Sequence, residues 1–308
     1  MNPVLHWVTD PLQYEFMQRA LLEVVLMGAV TGMIGTYVVL RGLSFIGDAL
    51  THAVFPGIVL AFLFGQSIFL GALLFGVLTS TLIAVLATSR RIKEDSAIGV
   101  LFAGAFALGV VLISATRNFA RDLASFLFGN VLGVTTEDIW ASVVVGVIVV
   151  GLVLAFYRPL LITAFDRVGA RAMGFPVFWL DLLLLILVSL TIVVSLSAVG
   201  NILVLAMLVT PAAAARFLTD RLPVMMGVSA AIGVVSGVVG LFVSYHAGLA
   251  AGGMIVLVAT GLFGVIWLFA PTHGVIAGRA WTGRRALEAE AASRVVFESP
   301  EIRTPEGR

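Results

Sequence analysis

The chain has 308 residues, of which 60% are hydrophobic and only 11% charged, with a mean hydropathy of +1.12 and a formal net charge of +1. Soluble domains carry about 25% charged residues, so this composition describes a polytopic membrane protein; no nucleic-acid partner is expected. There is no cysteine, which excludes disulfides, iron–sulfur clusters and thiolate metal sites and leaves only oxygen and nitrogen donors for any metal.

The first long apolar run, about residues 21–40, lacks a basic leader and a small-residue cleavage pattern and is too long for a signal-peptide core, so it is expected to stay as a membrane anchor. Further runs follow at about 53–64, 69–88, 97–115, 139–156, 179–196, 202–217, 224–245 and 253–269. Crossing a hydrocarbon core about 30 Å thick takes roughly 20 helical residues, and by that measure 53–64 and 202–217 are short. Short or broken segments tend to line substrate paths, because irregular backbone survives at membrane depth only where protein or water covers it. Eight to nine membrane segments, all helical, are predicted within a transmembrane domain over residues 1–271. Residues 272–308, rich in Arg, Glu, Ser and Pro, read as a largely disordered cytosolic tail.

Basic residues set the orientation, since cytoplasmic loops carry their excess. With the N-terminus outside and the C-terminus inside, only Arg19, Arg117 and Arg121 of the 18 Lys and Arg residues fall outside. Gly28, Gly32 and Gly35, and again Gly233, Gly237 and Gly240, lie within apolar runs, where small residues let helix backbones approach closely.

Several chemistries are ruled out. Lys93 is the only lysine and no glycine-rich loop precedes it, so the chain has no P-loop and no membrane lysine for a Schiff base. Position 45 is Phe where a Gly-x-Gly-Asp intramembrane protease motif would need glycine, and the Gly227-Val228-Ser229-Ala230 string has no later membrane histidine to serve as base. Intramembrane hydrolysis is therefore not expected.

Four ionisable side chains fall in or beside apolar runs: Glu23, Asp48, His52 and Asp181. Glu23 and Asp181 are read as lying near helix starts, within reach of interfacial water or a capping role. Asp48 and His52 stand four residues apart and share a helical face, offering a hard oxygen and a borderline nitrogen suited to Mn²⁺, Zn²⁺ or Fe²⁺. One such pair is too few ligands for a closed site, and a homodimer would double it. Spacing alone leaves this reading open beside another, a neutralising Asp–His pair near the loop carrying Arg41.

The stretch Arg41-Gly42-Leu43-Ser44-Phe45-Ile46-Gly47-Asp48-Ala49-Leu50-Thr51-His52-Ala53-Val54-Phe55-Pro56-Gly57 closely resembles the signature of the permease subunits of bacterial ATP-binding-cassette importers for zinc, manganese and iron. Val199-Gly200-Asn201-Ile202-Leu203-Val204 with Thr210-Pro211-Ala212-Ala213-Ala214-Ala215 is similar to the second apolar signature of that family, and Ser244-Tyr245 followed by Gly252-Gly253 to a late element. The resemblance spans about residues 15–270. It implies a type II permease, an all-helical homodimer in the bacterial plasma membrane that docks two cytosolic ATPase subunits and receives metal from an extracytoplasmic binding protein. It implies no tightly bound cofactor, the metal being substrate, and ATP hydrolysis in a separate subunit rather than enzymatic activity here. The family's metal-pathway Asp and His match Asp48 and His52, and Pro56-Gly57 looks more like the manganese/iron branch than the zinc branch.

The loop Phe165-Asp166-Arg167-Val168-Gly169-Ala170-Arg171-Ala172-Met173-Gly174-Phe175-Pro176 is similar to the family's short ATPase-docking helix, which makes Asp166, Arg167, Gly169, Ala170, Arg171 and Gly174 the candidate coupling residues. Its charged start and proline stop agree with a short helix. His246, expected at the outer surface, is open to two readings, metal collection or simple solvation. Two functional classes compete with an importer: a self-sufficient secondary carrier using Asp48 and His52 as a proton relay, and a membrane scaffold.

Overall fold

The computed structural model of the chain describes residues 9–88, 94–114, 131–270 and 274. Among them every regular element is a helix: α1 (Glu15–Leu40), α2 (Ile46–Ala53), α3 (Phe55–Leu63), α4 (Ile68–Ala87), α5 (Glu94–Ser114), α6 (Thr136–Ala155), α7 (Tyr157–Phe165), α8 (Arg167–Ala172), α9 (Val177–Val199), α10 (Asn201–Leu218), α11 (Leu222–Ala247) and α12 (Ala251–Phe269). Taking α2 and α3 as one segment, nine described stretches are long and apolar enough to cross a membrane, which agrees with the nine apolar runs. The boundary at residue 272 and, apart from Gly274, the tail lie outside the described residues, as do Arg90, Arg91, Lys93, Arg117 and Arg121.

Helix α1 is 26 residues long, about 39 Å at 1.5 Å per residue, and it is the central post of the bundle. It packs on α6, α10 and α11. The six glycines of the close-packing reading all lie at these contacts or beside α12. A Cβ added to Gly28 would stand 2.8 Å from the Gly233 carbonyl carbon, one at Gly32 would stand 2.8 Å from the Ser229 oxygen, and Gly35, Gly237 and Gly240 face Leu208, Val24 and Ile255 just as closely. Gly57 and Gly71 form another such pair, between α3 and α4.

Two interruptions shape the functional region. Helix α1 stops at a Schellman turn: Gly42 adopts φ 70°, its N–H donates to Val39 O, and the Leu43 N–H donates to Val38 O. The chain turns back and starts α2 at Ile46, so the run expected at 53–64 begins seven residues earlier and carries the Asp48/His52 motif inside the membrane segment. Pro56 then removes the N–H that would bond the His52 carbonyl, and Val54 separates α2 from α3.

The second interruption is Gly200, which has φ 82° and ψ 165°, a region essentially closed to other residues. It is the whole connection between α9 and α10. Val199 and Leu203 share a small cavity with Val24 and Met27, and Met27 lies 12 residues from Glu15 and 13 from Leu40, the midpoint of α1. The turn is thus buried at about mid-depth in the bundle, which is why the segment after it is short.

Candidate functional site

The two short segments flagged by length meet at one place. Helix α2 brings Asp48 Oδ1 to 3.5 Å from His52 Nε2, the one-face geometry expected of i and i+4. Across from them, Asn201, the first residue of α10, puts Nδ2 3.3 Å from His52 Nε2. Asn201 is 6% exposed and its Oδ1 has no hydrogen-bond partner. The other side of the imidazole is an aromatic wall, with the rings of Phe102 and Phe106 on α5 centred 5.5 and 5.3 Å away. The floor of the motif is set by Gly47, whose missing side chain leaves room for Leu205 and Leu208 of α10. Asp48 and His52 keep 46% and 23% of their side-chain surface open, so the pair borders accessible space rather than filling a core. No group of three or more His, Cys, Asp or Glu able to hold a metal occurs among the described residues.

Arg41 does not neutralise Asp48. Its side chain is 2% exposed, Nη1 lies 2.7 Å from Asp181 Oδ1, and Nη2 donates to Thr163 Oγ1 at 3.1 Å. Asp181 also faces Arg167 Nε at 3.5 Å, and Arg167 makes a forked pair with Glu94 at 2.7 and 3.1 Å. This chain of four charges links the end of α1 to α5, α8 and α9. Burial pushes the Arg41 guanidinium down from its ordinary value and Asp181 opposes that shift, while the Glu94 hydrogen bonds hold Arg167 up. The expectation that Asp181 merely caps or meets water is corrected: α9 begins at Val177, which sets Asp181 in its second turn, facing two arginines.

Glu23 is corrected for the same reason. Helix α1 begins at Glu15, not residue 21, so Glu23 lies more than two turns inside; it is fully buried and accepts a 2.6 Å hydrogen bond from Ser142 Oγ on α6. His246 is exposed at the end of α11, with Nδ1 2.9 Å from Phe242 O.

The loop after α7 folds as expected into a short helix. Asp166 Oδ1 accepts from the Val168 and Gly169 N–H groups at 2.9 and 2.8 Å, an N-cap that starts α8. Of the six candidate coupling residues, five build the element rather than present it: Asp166 caps, Arg167 joins the charge chain, Gly169 packs against Asp166, Ala170 is buried, and Gly174 turns the chain at φ 83°. Arg171 alone among them is both outward and uncommitted to that scaffold, and beside it Val168 and Met173 are 81% and 59% exposed. Neither stood out in the sequence, because apolar residues in an apolar chain carry no signal until their exposure is known.

Comparison with known proteins identifies the family of the chain. Residues 13–270 match the model of the ABC 3 transport family. The chain is 46% identical over 293 residues to the manganese transport system membrane protein MntC of Halalkalibacterium halodurans, covering 95% of this chain and all of the relative. It is 39% identical over 257 residues to a Haemophilus influenzae protein named "Probable iron transport system membrane protein", covering 83% and 94%. Its fold superposes on a chain of PsaBC from Streptococcus pneumoniae, solved in complex with Fab, with a TM-score of 0.78 and 38% identity over 88% of this chain and 97% of that one. With nine membrane-length segments and a family match across all of them, the chain belongs to the ABC 3 transport family, as a multi-pass membrane transport component rather than an enzyme.

Proposed function

We propose that this protein is the membrane permease of an ATP-driven importer for a divalent transition metal, Mn²⁺ foremost, and that the ion passes Asp48 and His52. The observation that carries this reading is the pair itself: a carboxylate oxygen and an imidazole nitrogen 3.5 Å apart on a membrane segment, partly open to accessible space. Intramembrane ionisable groups are costly and mark ion pathways. Two donors 3.5 Å apart fit one ion at about 2.0–2.2 Å from each. The manganese and iron systems named for the relatives support the substrate class.

The partial ligand set suits transport, because a site must release its ion as well as bind it. A second copy of the chain facing the first across an axis would bring a second Asp48/His52 pair to the path. The end bearing Arg41 and α8 faces the cytosol by the positive-inside rule. There Arg171 and the exposed Val168 and Met173 meet the ATPase subunit, and a metal-binding protein delivers substrate at the opposite end. Movement of α8 reaches the metal segment through Arg167, Asp181 and Arg41, the last of which lies seven residues before Asp48.

Reconstitution of the permease with its ATPase and binding protein in liposomes tests this. Uptake of Mn²⁺ that requires ATP, and that falls to background in Asp48→Ala and His52→Ala proteins still assembled with the ATPase, is expected. Uptake without the ATPase would instead make the chain a self-sufficient carrier, and uptake indifferent to both substitutions would remove the pair from the path.

A further inference from the structure

We infer that Asn201 supplies a third donor to the transported ion, an amide oxygen completing a mixed oxygen–nitrogen set with Asp48 and His52; this rests on the metal-path reading above. Asn201 is the polar side chain of α10 brought to His52, it is 94% buried by the complement of its 6% exposure, and its oxygen is left without a hydrogen-bond partner. A buried amide normally satisfies its oxygen; this one faces His52 with its Nδ2 and has no protein donor holding its oxygen in place, so the amide is free to turn the oxygen toward an ion.

The geometry agrees. The amide of Asn201 reaches within 3.3 Å of His52 Nε2, and Asp48 Oδ1 stands 3.5 Å from the same nitrogen. The oxygen and nitrogen of an asparagine amide exchange places by a half-turn about χ2. That turn puts Oδ1 where Nδ2 now stands. Donors bonded to one ion at about 2.0–2.2 Å are roughly 3.0–3.5 Å apart, and both separations from Nε2 fall in that range.

The fold also commits backbone to this placement. Gly200 holds a conformation closed to other residues where α9 ends and α10 begins, and the residue that follows it, Asn201, stands against His52. An uncharged hard oxygen adds a ligand without adding charge, which suits an ion that must move on, and favours Mn²⁺ over the softer-ligand preference of Zn²⁺.

The test is a Mn²⁺ titration of the purified permease–ATPase complex, followed by the loss of the free-ion EPR signal, with Zn²⁺ competition. Asn201→Ala and the size-matched Asn201→Leu should weaken Mn²⁺ binding by about tenfold or more, and weaken Zn²⁺ binding less. Asn201→Asp, which keeps an oxygen at the same place, should retain wild-type affinity or exceed it. Wild-type Mn²⁺ affinity in Asn201→Ala and Asn201→Leu, with binding still lost in Asp48→Ala, would overturn the third-donor assignment alone. Asn201→Asp as weak as Asn201→Ala would also overturn it, since only amide packing would then be at stake. Binding unchanged in all four variants would overturn both this assignment and the metal-path reading.

Discussion

Substituting Asp181 with alanine removes the carboxylate that stands 2.7 Å from Arg41 Nη1 and 3.5 Å from Arg167 Nε. Arg167 keeps its forked pair with Glu94. Arg41 keeps only the 3.1 Å hydrogen bond to Thr163, with a side chain 2% exposed and no water to turn to. Breaking one side of a buried ion pair costs about 3–5 kcal/mol, because a charge is stranded. Asp181 is 18% exposed, which argues for the lower end, about 3 kcal/mol. Replacing both partners with apolar residues strands nothing, so Arg41→Met/Asp181→Leu should recover most of the loss. Chemical denaturation in detergent of wild type, Arg41→Met, Asp181→Leu and the double mutant gives the cycle, with an expected coupling of about 2 kcal/mol. An Asp181→Ala protein within about 0.5 kcal/mol of wild type, or a strictly additive double mutant, would refute the claim that this pair is a buried mutual dependence.

Gly28→Leu would drive a side chain into the Gly233 backbone, where even a Cβ meets atoms at 2.8 Å; overpacking of this kind costs about 1–3 kcal/mol, read as a lower denaturation midpoint, and an unchanged midpoint would show that α1 and α11 part freely. Gly200→Ala must place a Cβ at φ 82°, costing about 1–3 kcal/mol and displacing Asn201, so Mn²⁺ uptake should fall while ATPase association persists; full uptake would mean the turn is not needed at the site. Val168→Asp and Met173→Asp alter only exposed positions of the α8 region, so stability should stay within about 0.5 kcal/mol while copurification of the ATPase is lost; retained copurification would move the docking surface elsewhere.

The membrane segments were legible because apolar length is a strong signal, and the Asp48/His52 pair was legible because charge in such a run is rare. The helix starts were not. Residues 15–20 and 46–52 mix polar and apolar side chains, so a hydropathy reading trims them, and that trimming moved Glu23 toward water and the motif toward the loop. Long-range pairing was equally hidden: nothing in the spacing of Arg41, Glu94, Arg167 and Asp181 announces that they converge, since Arg167 meets Glu94 across 73 residues and Arg41 meets Asp181 from still farther along the chain. Asn201 sits inside an apolar signature whose spacing does not single it out. The one available hint was that its segment is short and follows a glycine, the same feature that flagged the segment bearing the motif.

The most direct measurement is the anomalous scattering of Mn²⁺ in crystals of the assembled transporter. The account predicts a peak within about 2.0–2.5 Å of Asp48 Oδ1 and His52 Nε2, absent from the Asp48→Ala protein. A Mn²⁺ peak on the translocation axis away from α2, or one that persists in Asp48→Ala, would contradict it.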